Sequence, residues 1–171
     1  MSADFRREQI LERISGQQSP LSASFLAKEF KVSRQVIVGD VALLRARGHD
    51  ILATAKGYII PKTKESLQYV GKIVCQHAPK SSKDELYQIV DLGAVVLNVM
   101  IEHSLYGEIT GGLNLSNRKE VDDFTDKFES SDIKLLSELT LGIHTHTISC
   151  RNELHFIEVC RALSEKGYLY E

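Results

Sequence analysis

Six histidines hold most of the chemical potential of this 171-residue chain, and two of them stand one residue apart in Gly142-Ile143-His144-Thr145-His146-Thr147-Ile148. On a β-strand successive side chains alternate between faces, so His144 and His146 project to the same side and can aim at one ion. His77, at the end of an earlier strand, offers a third imidazole. Glu85, one turn into the helix that follows in Ser81-Ser82-Lys83-Asp84-Glu85-Leu86, offers a carboxylate. Neutral imidazoles with a carboxylate suit a divalent transition ion such as Ni, Zn, Fe or Co, and the absence of a sulfur partner disfavours a soft-metal site. The plainer alternative is a pair of half-exposed strand histidines bonded to their neighbours.

The three cysteines, Cys75, Cys150 and Cys160, are odd in number and show no CxxC spacing, which argues against a disulfide framework or a zinc–cysteine site. They read as reduced thiols. Cys75 and Cys150 lie at even offsets from His77 and His146 and so share a strand face with proposed ligands, yet as small apolar residues they are expected in the core.

A second set of residues lies in the first third. Arg34 and Gln35 open a helix that follows Ser33, a plausible N-cap, and runs to about Arg47, with Gly48 as its stop. Val36, Ile37, Val41 and Leu44 are expected to pack inward, which leaves Arg34, Gln35, Val38 and Ala42 on the outer face. Arginine reads guanine bidentately and glutamine reads adenine; Arg45, Arg47 and Lys56 are better placed for phosphates, and Ser33 at the helix start joins this set. Gly39 sits mid-helix, where glycine costs roughly 1 kcal/mol relative to alanine, and it would admit a close backbone approach.

The elements that must position these groups follow from periodicity. A helix from about Asp4 to Ile14 turns Phe5, Ile10, Leu11 and Ile14 to one face, and a second after Ser22 turns Phe25, Leu26 and Phe30 inward. After the third helix, Ile51 to Thr54 and Tyr58 to Ile60 flank Ala55-Lys56-Gly57, a β-hairpin signal. Three short helices, a tight turn before the third and a hairpin after it make a winged helix-turn-helix, with the third helix entering the major groove. Polar residues from Pro61 to about Val70 read as a linker. Beyond it the pattern predicts strand 71–77, helix 82–92, strands 94–102 and 106–115, helix 117–130, strand 142–150 and helix 152–166, an α+β domain with helices on one face of a largely antiparallel sheet.

Charge follows the same division. Residues 1–64 carry 11 Lys and Arg against 6 Asp and Glu, whereas the remainder carries 10 against 17. A basic first third suits phosphate contacts and an acidic remainder should face away from DNA. With 43% apolar and 26% charged residues the composition is that of a globular protein. No run approaches the roughly 20 apolar residues of a membrane span and no secretory signal opens the chain, so a cytoplasmic protein without membrane contact is expected.

Two stretches carry a resemblance to known families. Leu26-Ala27-Lys28-Glu29-Phe30-Lys31-Val32-Ser33-Arg34-Gln35, Leu43-Leu44-Arg45-Ala46-Arg47-Gly48 and Lys56-Gly57-Tyr58 resemble the helix-turn-helix of biotin-operon-type repressors. His77, Asp84 to Asp91, Glu102 to Ile109 and Leu141 to Ile148 resemble the three-histidine domain of niacin-responsive repressors. The resemblance implies a repressor of niacin uptake and NAD-synthesis genes that binds double-stranded operator DNA as a homodimer when niacin is present. It also implies a C-terminal HPr-like β-α-β-β-α-β-α fold holding a divalent metal on His77, Glu85, His144 and His146. The divisions become 1–62 for the winged helix-turn-helix, 63–70 for the linker and 71–171 for the metal- and effector-binding domain. His103, Tyr106 and Gly107 also match the family pattern, as effector-pocket candidates or simply as a turn. Gly39 departs from the pattern, where a polar residue is usual, and this bears on the operator sequence.

Three other functions compete. A metal with an open coordination position would serve a metalloenzyme, but no further strong base or nucleophile motif accompanies it. A biotin-ligase relative would need a glycine-rich nucleotide-binding motif and a longer chain. A metal-sensing repressor differs only in its signal.

Overall fold

The computed structural model describes residues 2–61 and 68–171, which fall into two compact units, Met1–Lys64 and Glu65–Glu171. None of the described helices is long and apolar enough to cross a membrane.

The first unit is α1 (Ala3–Ser15), α2 (Ala23–Phe30), α3 (Arg34–Ala46) and a hairpin of β1 (Leu52–Thr54) and β2 (Gly57–Ile59). Each helix opens on a serine, Ser2, Ser22 or Ser33, whose hydroxyl accepts a backbone N–H three residues on and so satisfies one of the free donors of the first turn. Lys31 in the left-handed region (φ 55°) reverses the chain between α2 and α3. Leu21 exchanges backbone hydrogen bonds with Tyr58 at 2.9 and 2.8 Å, which ties the hairpin to the segment before α2. At that close approach a Cβ on Gly57 would come within 2.3 Å of the Leu21 carbonyl oxygen.

Ile10, Ile14, Leu26, Ile37, Val41, Leu44 and Ile51 form the core of this unit. Phe5 and Phe25, expected inside, are instead 51% and 46% exposed. The small unit is filled by aliphatic side chains, and Phe25 lies under the Arg13 guanidinium, 5.7 Å from its ring centroid. The buried stripe of α3 is Ile37, Asp40, Val41 and Leu44, at i, i+3, i+4 and i+7. That phase corrects two expectations: Val36 is exposed, while Val38 is half-buried against the core instead of lying on the outer face. Asp40 enters the stripe because Arg6 Nε (2.7 Å) and Arg7 Nη1 (3.2 Å) reach it from α1. Its charge is thereby paired within the buried stripe.

The second unit runs β3 (Tyr69–Gln76), α4 (Ser82–Asp91), β4 (Val95–His103), β5 (Gly107–Leu115), α5 (Arg118–Glu129), β6 (Ile143–Cys150) and α6 (Glu153–Glu165), a mixed α+β arrangement in the expected element order. The sheet is antiparallel with strand order β3-β6-β4-β5. β3 starts at Tyr69, which takes residues 69 and 70 out of the expected linker 63–70. Tyr69 pairs with Cys150 and packs on Phe156 with ring centroids 5.2 Å apart, so burial extends the strand. Linker residues 63–67 lie outside the described residues.

Along β3, Ile73 and Cys75 are buried and Val70, Lys72, Val74 and Gln76 exposed, the alternation of a sheet covered on one face. On the covered face Gly71 lies against Phe156 of α6, where a Cβ would come within 2.4 Å of the ring. The outer edge of β3 is also paired: Gln76 N donates to Tyr168 O at 2.9 Å and Tyr170 N to Val74 O at 3.0 Å, so the C-terminal residues run along it and protect the edge.

Candidate metal centre

The parity of β6 sends His144 and His146 to the helix-covered face, where both are buried. His77 follows the end of β3, and Glu85 sits in the first turn of α4, 1% exposed. The three imidazoles converge on this carboxylate. His146 Nε2 lies 2.7 Å from Glu85 Oε1, His144 Nε2 lies 3.1 Å from Oε2, and His77 Nε2 is in direct contact with Oε2. Adjacent rings meet edge to face, His77 on His144 and His144 on His146, each with centroids 4.9 Å apart.

Each ring is held from behind by its other nitrogen. Nδ1 of His77 lies 2.9 Å from Ala78 O, that of His144 2.8 Å from Gly142 O and that of His146 2.8 Å from Asn98 O. A carbonyl accepts only, so all three Nδ1 atoms carry the proton and donate, which orients the rings and leaves Nε2 as the inward atom. Asn98 stands at the register shift in β4 and also accepts Thr147 N on its side-chain oxygen. Gly142 has φ +88°, and a Cβ there would come within 2.4 Å of His77 O, so only glycine lets the two backbone segments approach. Tyr168 closes the side, its ring edge-on to His77 at 5.3 Å and its hydroxyl donating to Asp84 at 2.6 Å.

This donor set fits a divalent ion. With Nδ1 protonated, an unprotonated Nε2 presents a lone pair to a carboxylate oxygen, a repulsive arrangement unless a cation lies between them. Protonating all three rings would put three positive charges against one negative in a buried site. Burial by itself would raise the Glu85 carboxyl; the charge and hydrogen bonds of His146 and His144 overcome it and hold the group well below the ordinary carboxylate range. Burial likewise pushes the His146 imidazole down, and the Glu85 carboxylate more than reverses this, leaving it above its ordinary value.

Sequence reasoning treated Cys75 as core filler, and the structure brings its sulfur to the cage. Cys75 Sγ, a Glu85 oxygen and a His144 ring nitrogen lie within 4.8 Å of one another. Burial, with the Glu85 charge second, pushes the thiol up. The even offset of Cys75 from His77 was the available signal. The other candidates of this unit, His103, Tyr106 and Gly107, form the β4–β5 hairpin: His103 Nδ1 accepts from Leu105 N (3.1 Å) and Tyr106 N (3.3 Å), and Gly107 supplies φ +71°. These are the contacts of a turn.

In the helix-turn-helix unit, Arg34 and Gln35 are exposed on the first turn of α3 and Ser33 is its cap. Arg45 is exposed near the end of α3; Arg47, at its C-cap, lies 3.5 Å from Asp4; Lys56 is half-buried in the hairpin turn. The exposed side of α3 carries Val36, Gly39, Ala42 and Leu43 beside Gln35, an apolar strip that the expected inward packing of Val36 had hidden.

Comparison with known proteins matches both units. Residues 6–59 match a helix-turn-helix domain family and residues 70–171 the 3H domain family. The chain is 40% identical over 166 residues to the transcription repressor NadR of Bacillus subtilis, covering 96% of this chain and 92% of that protein. It is 36% identical over 166 residues to the probable transcription repressor NiaR of Thermotoga maritima, covering 97% and 94%. With both domains matched in order across nearly its whole length, the protein belongs to the family of transcriptional repressors that join a helix-turn-helix to a 3H domain, the niacin-responsive family its sequence resembles, and is a regulator of transcription rather than an enzyme.

Proposed function

We propose that the protein represses genes of niacin uptake and NAD biosynthesis in the cytoplasm, binding a palindromic operator as a homodimer with niacin as co-repressor. The observation that carries this reading is a DNA-reading helix joined in one chain to a buried cage of three histidines and a glutamate, in a chain similar throughout to named repressors. Arg34 and Gln35 read base edges, Ser33 and the N-terminal turn of α3 set the register, and Arg45, Arg47 and Lys56 meet phosphates. One such unit reads a short site, so two half-sites a whole number of helical turns apart supply the affinity a genome requires.

In the second unit His77, Glu85, His144 and His146 hold a divalent transition ion such as Ni, Zn or Fe. When bound, the ion supplies a Lewis-acid position for the carboxylate or ring nitrogen of nicotinic acid. The chain's own part is orientation: three backbone carbonyls fix the rings, and Glu85 offsets charge. The burial of all four side chains favours one further reading, in which the ion itself is the signal.

Titrating the untagged protein with nicotinic acid, with and without chelator, while following a promoter-fragment shift separates these readings. Tightening by nicotinic acid that chelator abolishes supports the metal-dependent niacin response. Tightening by metal alone, with no effect of nicotinic acid, transfers the signal to the ion. Equal metal content in native protein and in the double variant His144→Ala/His146→Ala refutes the site.

A further inference from the structure

Cys75 is fully buried on β3 and held by the ladder on both sides: its Cα faces that of His144 on β6, and it bridges Leu169 of the C-terminal segment. The parity of the strands turns Cys75 and His144 to the same, helix-covered face. Its sulfur, the Glu85 carboxylate and a His144 nitrogen already lie within 4.8 Å of one another. Donors sharing one ion, about 2.1 Å away for imidazole nitrogen and about 2.3 Å for thiolate sulfur, stand at most about 4.4 Å apart. Relative to Glu85 and His144, adjustments of a few tenths of an ångström therefore suffice to bring the sulfur within the separation shown by donors to one ion.

Resting on the reading that the cage holds a divalent ion, we propose that Cys75 Sγ is a further ligand of that ion, which makes the donor set three imidazole nitrogens, carboxylate oxygen and thiolate sulfur. Charge argues for it independently of distance. Three neutral imidazoles and one carboxylate leave a divalent ion with one uncompensated positive charge among side chains that are 1–5% exposed, and burying unbalanced charge is costly. A thiolate removes that excess. As the sulfur–metal bond forms, the S–H bond breaks and its proton passes to solvent. The competing arrangement keeps the S–H bond and donates it to Glu85, with no bond to the ion.

The full-length chain, purified without a histidine tag, stripped with chelator and reloaded with Co(II) under a thiol-free reductant, distinguishes the two. The expected result is visible ligand-field bands together with a near-ultraviolet thiolate-to-cobalt charge-transfer band. Cys75→Ser loses that band and keeps the visible bands, whereas Cys150→Ser and Cys160→Ser retain both. Should Cys75→Ser fail to fold, X-ray absorption of the native zinc-loaded chain gives the same answer, with a sulfur scatterer at about 2.3 Å expected. Cobalt uptake without the charge-transfer band, a band that survives Cys75→Ser, or a zinc shell without sulfur overturns the assignment of Cys75 alone. Failure to take up cobalt at all overturns the metal reading and this inference with it.

Discussion

Gly39→Ala tests the helix and its use in one substitution. Gly39 lies in the interior of α3 with helical φ, on the exposed side, and a Cβ there would meet nothing within 4 Å. No clash subtracts from the intrinsic preference of a helix interior for alanine, about 0.8–1.0 kcal/mol, so the variant gains about that much stability. For a unit of this size melting by itself, 1 kcal/mol raises Tm by roughly 4–8 °C. DNA binding should move the other way. With the Val36, Gly39 and Leu43 side of α3 in the major groove, the added methyl enters a packed contact, and overpacking of this kind costs about 1–3 kcal/mol. That corresponds to about 5- to 150-fold weaker operator binding. Scanning calorimetry gives the first quantity and fluorescence anisotropy on an operator fragment at fixed salt the second. A Tm that stays level or falls refutes the exposed helical geometry of Gly39. A higher Tm with unchanged operator affinity refutes the docking of this side of α3 on DNA.

Arg34→Ala should cost about 1–3 kcal/mol on the operator and relax preference at one base pair, while Lys56→Ala weakens all sequences alike and lowers the salt dependence; unchanged discrimination in a base-substitution series with Arg34→Ala would show that this side chain does not read sequence. Gly142→Ala forces a side chain into φ +88° and a Cβ toward His77 O, so Tm and bound metal per chain should both fall, the backbone conformation alone costing about 1–3 kcal/mol. Normal metal content in that variant would count against the close approach of residues 77 and 142. Two opposite pH trends follow from His146, whose imidazole the Glu85 carboxylate holds above its ordinary value against the opposing effect of burial. In metal-free protein this pairing stabilises the fold fully below the unfolded value of about 6.5 and is lost as pH rises through the raised folded value. Metal-loaded protein gains stability as pH rises, because coordination needs neutral rings. Thermal melts from pH 5.5 to 8.5, with and without chelator, should therefore diverge with rising pH, and parallel curves would show that His146 neither pairs with Glu85 nor binds the ion.

The elements were readable where their causes are local. Ser22 and Ser33 cap helices and Gly48 (φ +94°) follows the end of α3, because caps and stops act within a turn or two of the residue that carries them. The reading failed where a distant side chain decides. Phe5 and Phe25 looked like core residues and are half exposed, since the aliphatic residues of the three helices fill a small interior without them. Asp40, which the expected inward set of Val36, Ile37, Val41 and Leu44 leaves out, is 4% exposed, because Arg6 and Arg7 arrive from a helix more than thirty residues earlier. Helical periodicity is blind to such a partner. Once Asp40 is counted as inward the phase of α3 turns, Val36 moves out and Val38 moves toward the core, so one ionic pairing changes which side of the helix is free to meet DNA.

The cage divides along the same line. His144 and His146 were legible because a strand fixes their common face whatever the strand pairs with. His77 and Glu85 were within reach because the turn after β3 leads directly into the first turn of α4. Strand order β3-β6-β4-β5 was not legible, since no local pattern says that β3 lies beside β6, and that adjacency puts Cys75 opposite His144 across 69 positions of sequence. The same adjacency brings Gly142 against His77, and the register shift in β4 sets Asn98 O behind His146. Strand parity thus supplies the donors, but sheet order supplies the groups that orient them and the sulfur beside them. A substitution that slipped β6 by one residue would keep the His-x-His spacing intact and still remove the site, turning both rings to the uncovered face.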